Sequence, residues 1–181
     1  MKKLLDTLNF FTKFTPNRLL NAFKVKLSYW LAKATKRPFH WGMPLSISIE
    51  PTTACNLRCP ECPSGLRLFT RNTGFIEETP FKKIIDEQQN TILYLNFFFQ
   101  GEPYLHSKFF ELVQYAHKKK IYVSTATNAH YLDNEQARKT VECGLNRLII
   151  SLDGVTQETY SAYRVGGQLE KVKEGIRNVV Y

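Results

Sequence analysis

Cys55, Cys59 and Cys62 lie in the stretch Ile49-Glu50-Pro51-Thr52-Thr53-Ala54-Cys55-Asn56-Leu57-Arg58-Cys59-Pro60-Glu61-Cys62, a C-x3-C-x2-C spacing. Thiolates are soft ligands that select zinc, copper(I) or iron–sulfur clusters. A closed structural zinc site wants four ligands, usually as two separated pairs, and a ferredoxin cluster also takes four cysteines. Here three are bunched, and no fourth cysteine or histidine stands close by in sequence. Cys143, just before Gly144 at the end of a predicted helix, reads instead as a buried small hydrophobe. Three thiolates on a 4Fe–4S cluster leave one iron open to a substrate or cofactor, the counterpart of the open position that marks a catalytic metal site. The other reading of the same residues is a non-catalytic iron–sulfur or zinc-binding module, with the cysteines as a structural clip.

A strand must carry these thiolates, and the alternating apolar run at 45–50 supplies one directly before them. Further strands are predicted at 92–99, 121–126 and 148–152, and helices at 80–88, 108–118, 134–143 and 169–181. Strand and helix thus alternate four times, which implies a parallel sheet with right-handed crossovers. Each strand is followed by a polar motif: the cysteine loop, then Gln100-Gly101-Glu102-Pro103, Thr127-Asn128-Ala129-His130 and Ser151-Leu152-Asp153-Gly154. In a parallel α/β fold the carboxyl ends of the strands form one rim, where sites are built.

Before this regular region lies a different one. The chain has 181 residues and a formal charge of +9, but residues 1–40 hold nine of its Lys and Arg and a single acid, Asp6. The excess charge belongs to an arm spanning 1–41, and the region 42–181 is nearly balanced. Thr15-Pro16 reads as a helix start, with Thr at the N-cap and Pro in the first turn. Leu20, Phe23, Leu27, Trp30, Leu31 and Ala34 recur at helical spacing among Lys24, Lys26, Lys33 and Lys36. Such a helix either packs its apolar face on the domain with snorkelling lysines, the expected outcome, or lies on an anionic lipid surface. No recognised nucleic-acid motif accompanies the arm, and no nucleic-acid partner is expected. The sequence has no secretory signal and no apolar run of spanning length, so the expected compartment is a reducing cytoplasm, peripheral to the membrane if the arm binds lipid.

With these motifs in order, the region 45–181 resembles the radical SAM enzymes. The likeness rests on C-x3-C-x2-C after the first strand, Gly101-Glu102-Pro103 after the second and Ser151-Leu152-Asp153-Gly154 at the fourth. It extends to Asn56-Leu57-Arg58 and Tyr163-Arg164-Val165-Gly166-Gly167, and is greatest to the branch that often carries a SPASM or twitch extension. The resemblance implies a partial TIM-like (β/α)6 barrel of which about four strand–helix units are present. It implies that Cys55, Cys59 and Cys62 hold three irons of a 4Fe–4S cluster while S-adenosylmethionine chelates the fourth. Gln100, Gly101 and Glu102 match the motif that holds the methionine amine, Ser151 and Asp153 match the polar end of the fourth strand, and Arg164 would meet the SAM carboxylate.

The implied reaction is reductive cleavage of SAM to a 5′-deoxyadenosyl radical that abstracts hydrogen from a substrate, a peptide or a small metabolite. The electron would come from a reductant such as flavodoxin or ferredoxin. Two features depart from the pattern. Glu61 replaces the usual aromatic residue before the last cysteine, and the core ends four units into six. The chain is therefore expected to be the N-terminal part of a longer protein.

Overall fold

The computed structural model describes residues 2–180. The arm forms two helices, α1 (Lys2–Phe11) and α2 (Pro16–Thr35). The core then runs β1 (Ser46–Ser48), a single turn α3 (Pro63–Leu66), α4 (Glu78–Gln88), β2 (Tyr94–Asn96), a 3-10 turn (Pro103–Leu105), α5 (Phe109–Lys118), β3 (Tyr122–Thr127), α6 (Asn134–Glu142), β4 (Arg147–Ile150), α7 (Gln157–Tyr163) and α8 (Leu169–Val180). The four strands pair in parallel in the order β1-β2-β3-β4. This is the expected partial barrel of strand–helix units. The strands are shorter than the apolar runs predicted, because their ends continue as single bonds (Ile49 N–H to Asn96 O, Phe97 N–H to Ser124 O) before the chain turns into the rim loops. The alternation of apolar residues had no power to reveal α1, α3 or α7. For α7 the signal lies in Thr156 and Thr159, whose side chains and backbones close a reciprocal N-terminal cap.

Period-2 alternation assigns the two faces of the sheet. Ile47, Leu95 and Val123 are in register and face the helices, where Phe81, Ile85, Phe97, Phe109, Leu112 and Val113 fill the main core. The Phe97 and Phe109 rings stack at 5.6 Å and 4°. A second cluster, Leu132, Tyr160, Leu169 and Val172 with Ala129, packs α7 and α8 beside β4. The opposite, concave face carries a different row: Ser48, Asn96, Ser124 and Arg147 in register across four strands. Cys143 is buried against the main core and donates its S–H to Thr140 O, in keeping with a structural cysteine.

The arm closes the amino end of this concave face. Tyr94 and Tyr122 stack at 5.0 Å, and Phe10 of α1 packs on both. Asp6 accepts from Tyr122 Oη at 2.5 Å and from Arg147 Nη2 at 2.6 Å. The Tyr122 hydroxyl, then Arg147, hold the Asp6 carboxyl below its ordinary value. A depressed carboxylate adds stability above its unfolded pKa and loses it as pH falls through the folded one. Asp6→Asn is therefore expected to weaken the protein at neutral pH and to flatten the acid limb of its stability below about pH 4, measured by urea unfolding across pH.

Arg18 is the deepest polar group of the arm, 1% exposed. Its guanidinium donates to Gln89 O twice (3.0 and 2.7 Å), Lys13 O (2.6 Å), Lys119 O (2.8 Å) and Lys120 O (2.5 Å). Gln89 and Lys119 are the C-terminal caps of α4 and α5. One cation thus satisfies the orphan carbonyls of two helix ends, where the helix dipole favours positive charge. Asn21 adds bonds to the backbone of Met43 and Thr91.

The consequence reverses the expected packing of α2. Its buried positions are Arg18, Asn21 and Ser28, while Leu19, Leu20, Phe23, Leu27 and Trp30 are exposed. The polar face is drawn inward because unmet carbonyls, not an apolar groove, line the surface it covers. Arg18→Met should cost on the order of 3 kcal/mol by leaving buried acceptors unpaired, with Arg18→Lys recovering only part. Urea midpoints and tryptic cleavage within the arm check this; an unchanged midpoint would refute the capping role.

Candidate functional site

The first strand delivers the chain to the cysteine loop through Glu50, whose carboxylate accepts Gln100 N–H at 3.0 Å and pairs with Arg71 at 2.6 Å. Thr52 and Thr53 are buried and clamp the loop to the segment around Gly74 (Thr52 Oγ1 to Gly74 O, 2.8 Å; Gly74 N–H to Thr53 Oγ1, 3.1 Å). On the far side, Arg58 N–H reaches Val165 O at 2.9 Å and Arg67 reaches Cys55 O at 2.8 Å. The loop is therefore held from both flanks, by side-chain to backbone bonds and by the Arg58–Val165 backbone pair.

The Gln100-Gly101-Glu102 turn lies directly against it. Glu102 N–H donates to Ala54 O at 2.7 Å, and Gly101 N–H to Ser64 Oγ at 2.9 Å. Gly101 has φ +73°, and a Cβ there would sit 2.2 Å from Thr52 O. Only glycine admits this approach without displacing the cysteine loop.

Cys55, Cys59, Cys62, Gln100, Gly101, Glu102, Ser151 and Arg164 line one cleft of about 210 Å³ at the carboxyl rim, together with Thr127 and Asn128. Asp153 is outside the lining but bonds to it: its carboxylate accepts Arg164 Nε at 2.5 Å. All nine predicted site residues thus gather at one place. The structure gives a definite place to Asn128, which the sequence leaves open between turn residue and ligand, and adds Ser64 and Glu50. Asn128 donates to Asn56 Oδ1 at 2.8 Å and lies 4.0 Å from Cys55 Sγ. Its only signal in the sequence is its place after β3, where a turn residue is equally at home. Ser64 and Glu50 carry no signal of their own. His130, also on this rim, is consumed in structure: Nδ1 meets Asn128 O at 3.0 Å and Nε2 accepts Gln168 N–H at 2.9 Å.

Two donors face the sulfurs. Arg164 Nη1 is 3.7 Å from Cys59 Sγ, and Leu57 N–H points at Cys55 Sγ at 3.5 Å. Burial opposes the Arg164 charge, but Asp153 and the Cys59 sulfur more than offset it. Burial, then the nearby Glu102, Cys59 and Cys62, push the Cys55 thiol up in pKa, so its ionisation calls for a cationic partner such as a metal centre. Glu102 is 1% exposed. Its carboxylate accepts from Thr127 Oγ1 (2.7 Å), Asn128 N–H (2.8 Å) and Tyr104 N–H (3.2 Å). Burial pushes its pKa up, against these three donors, which pull it down.

The donor set fits a cluster. Among the described residues no three His, Cys, Asp or Glu side chains converge on the position of a single ion. A cluster is a body with several irons, and three thiolates spaced around a cleft with N–H and guanidinium groups aimed at the sulfurs suit it.

A parallel α/β half-barrel with a three-thiol loop at its carboxyl rim defines a barrel-type protein with a candidate soft-metal centre. The Radical SAM superfamily model matches residues 49–180, and the chain belongs to that superfamily, whose enzymes use a 4Fe–4S cluster and S-adenosylmethionine. It is 32% identical over 137 residues to mycofactocin maturase MftC of Mycobacterium tuberculosis (75% of this chain, 34% of that one). It is 31% identical over 127 residues to PqqA peptide cyclase of Rhodopseudomonas palustris (70% and 33%). The native anSMEcpe structure with bound AdoMet superposes with a TM-score of 0.62 at 26% identity, covering 76% of this chain and 41% of that one. The chain spans about a third of the length of the curated relatives it matches.

Gly101→Ala is expected to destabilise the protein by about 2 kcal/mol, since a positive φ alone costs roughly 1–2 kcal/mol for an L-residue and the Cβ contact adds to it. The thermal midpoint measures this, and a value equal to wild type would show that the turn does not abut the loop.

Proposed function

We propose that the protein is a radical SAM enzyme acting on a peptide. The observation that carries this reading is the single cleft that joins three thiols to the Gln100-Gly101-Glu102 turn, Ser151 and Arg164. Cys55, Cys59 and Cys62 would hold the cluster. When bound, the 4Fe–4S cluster supplies one electron, from a flavodoxin or ferredoxin, for cleavage of SAM to a 5′-deoxyadenosyl radical.

The chain's own residues do the positioning. The carbonyls and polar side chain of the Gln100-Gly101-Glu102 turn would receive the methionine amine, for which an acceptor-rich turn is the right partner. Ser151 would meet the ribose or methionyl part. Arg164, whose Nη1 is 3.7 Å from Cys59 Sγ, would serve both that sulfur and a carboxylate entering the cleft. Asp153 holds its guanidinium in that orientation. Below the rim, the Ser48, Asn96 and Ser124 row offers hydrogen-bonding groups on the concave face, and Ser124 Oγ, buried, has no partner there.

A peptide substrate is supported by the relative named as a peptide cyclase, which is 31% identical to this chain over 127 residues. The non-catalytic alternative fits less well, since a structural clip has no need of an acceptor-rich turn and an arginine beside the sulfurs.

Anaerobic reconstitution of the full-length protein with iron and sulfide should give about four irons per chain. With a reductant and SAM it should then release 5′-deoxyadenosine, measured by chromatography. Cys55→Ala, Cys59→Ala and Cys62→Ala should each abolish release, while Cys143→Ala leaves it within about twofold. Iron uptake with no SAM cleavage would leave the clip as the correct reading.

A further inference from the structure

The inverted packing of α2 leaves a surface that the radical chemistry does not explain. Stepping about 100° per residue, Leu19, Trp30, Phe23, Leu27 and Leu20 fall in one arc of roughly 100°, on the side away from Arg18, Asn21 and Ser28. All five are exposed, Phe23 by 62% and Trp30 by 51%. Leu4, Leu8 and Phe11 form a similar exposed stripe on α1. Contiguous apolar surface of this kind on a helix mounted by its polar side marks a docking face.

Lysines border the arc on both flanks. Lys26 and Lys33 stand on one side, 5.3 and 5.2 Å from the Trp30 ring centroid, and Lys24 on the other. The arm as a whole carries nine cations against one acid, and that acid, Asp6, is already engaged by Tyr122 and Arg147.

We propose that the outward face of α2 docks on an anionic lipid surface. An apolar arc edged by lysines with a tryptophan at the border matches the headgroup boundary, where rings sit at the interface and ammonium groups reach phosphates. Charge selects the occupant. A second copy of the face would bring two sets of lysines together with no acid between them, whereas anionic headgroups neutralise each lysine. The mounting fixes the orientation too. Arg18 ties α2 to the chain just before β2 and β3, the end of the sheet opposite the cleft, so a docked protein keeps its cleft toward water.

The test is co-sedimentation of the full-length holoprotein with vesicles of phosphatidylcholine alone or with about 30% phosphatidylglycerol. Binding to the anionic vesicles, at least tenfold weaker on phosphatidylcholine, is expected. Phe23→Glu with Trp30→Glu should lower it at least tenfold. Lys24→Gln, Lys26→Gln and Lys33→Gln together should lower it on the order of 100-fold, at about 1 kcal/mol per lysine. These side chains are solvent-exposed, and an unchanged thermal midpoint confirms that each variant folds. Equal binding to both vesicles, no binding, or binding indifferent to the substitutions overturns the proposal. Sedimentation equilibrium and hydrogen exchange without lipid separate the other occupants: a dimer lost in Phe23→Glu/Trp30→Glu, or α2 amides protected in a monomer by the rest of the chain, with no vesicle binding, would each overturn it.

Discussion

The site depends on one close approach of two backbones. The turn after β2 comes so near the cysteine loop that Glu102 N–H bonds Ala54 O, and a side-chain carbon at Gly101 would overlap Thr52 O. Parallel strands bring their carboxyl ends to one level, but they leave the loops free to splay. This contact removes that freedom. It fixes the three thiols relative to Gln100 and, through the Glu102 carboxylate, relative to Thr127 and Asn128 at the end of β3. Glu102 is therefore as much a structural bolt between two rim loops as a member of the cleft lining. Its three donors and its burial explain why a carboxylate, with acceptors only, suits the position.

A second constraint operates at the opposite end of the sheet. Helices α4 and α5 finish side by side before β2 and β3, and their last carbonyls need donors in a place closed to water. Arg18 meets them with five bonds and, among the described residues, no carboxylate partner. Burying a guanidinium is costly, and burial lowers its pKa here. The cost is offset because every donor bond ends on a carbonyl that would otherwise be unpaired. Once Arg18 and Asn21 are committed inward, the helical period leaves the apolar residues of α2 no choice but the outer side.

These two constraints explain which parts of the molecule were legible in the sequence. The strand–helix alternation, the parallel sheet and the common rim followed from periodicity, because burial in the core is what periodicity records. The gathering of Cys55, Cys59 and Cys62 with Gln100, Gly101, Glu102 and Ser151 followed from the order of motifs after the strands, and the place of Arg164 from the resemblance to radical SAM enzymes. What escaped was set by polar bonds between distant segments. Asn128 beside Asn56, Ser64 on Gly101 N–H and Glu50 on Gln100 N–H span separations from 37 to 72 residues and leave no periodic trace. The orientation of α2 was misjudged for the same reason. Its apolar stripe is plain in the sequence, but which surface it meets depends on backbone carbonyls some seventy to one hundred residues away.

The two ends of the sheet also divide the chain's charge. At the carboxyl rim, Arg164 and Asp153 are paired beside the sulfurs, and Arg71 pairs with Glu50, so the cleft adds little net charge of its own. At the amino end the arm concentrates cations with almost no acid. A uniform spread of the same charge would have raised the positive potential around the cleft and drawn anions to it without selection. Segregation instead leaves short contacts to set the field at the rim and puts the long-range positive potential on the arm. The carbonyl cage around Arg18 maintains that separation by binding the arm to the amino end of the barrel, so the sulfurs and the excess cations stand at opposite ends of one scaffold.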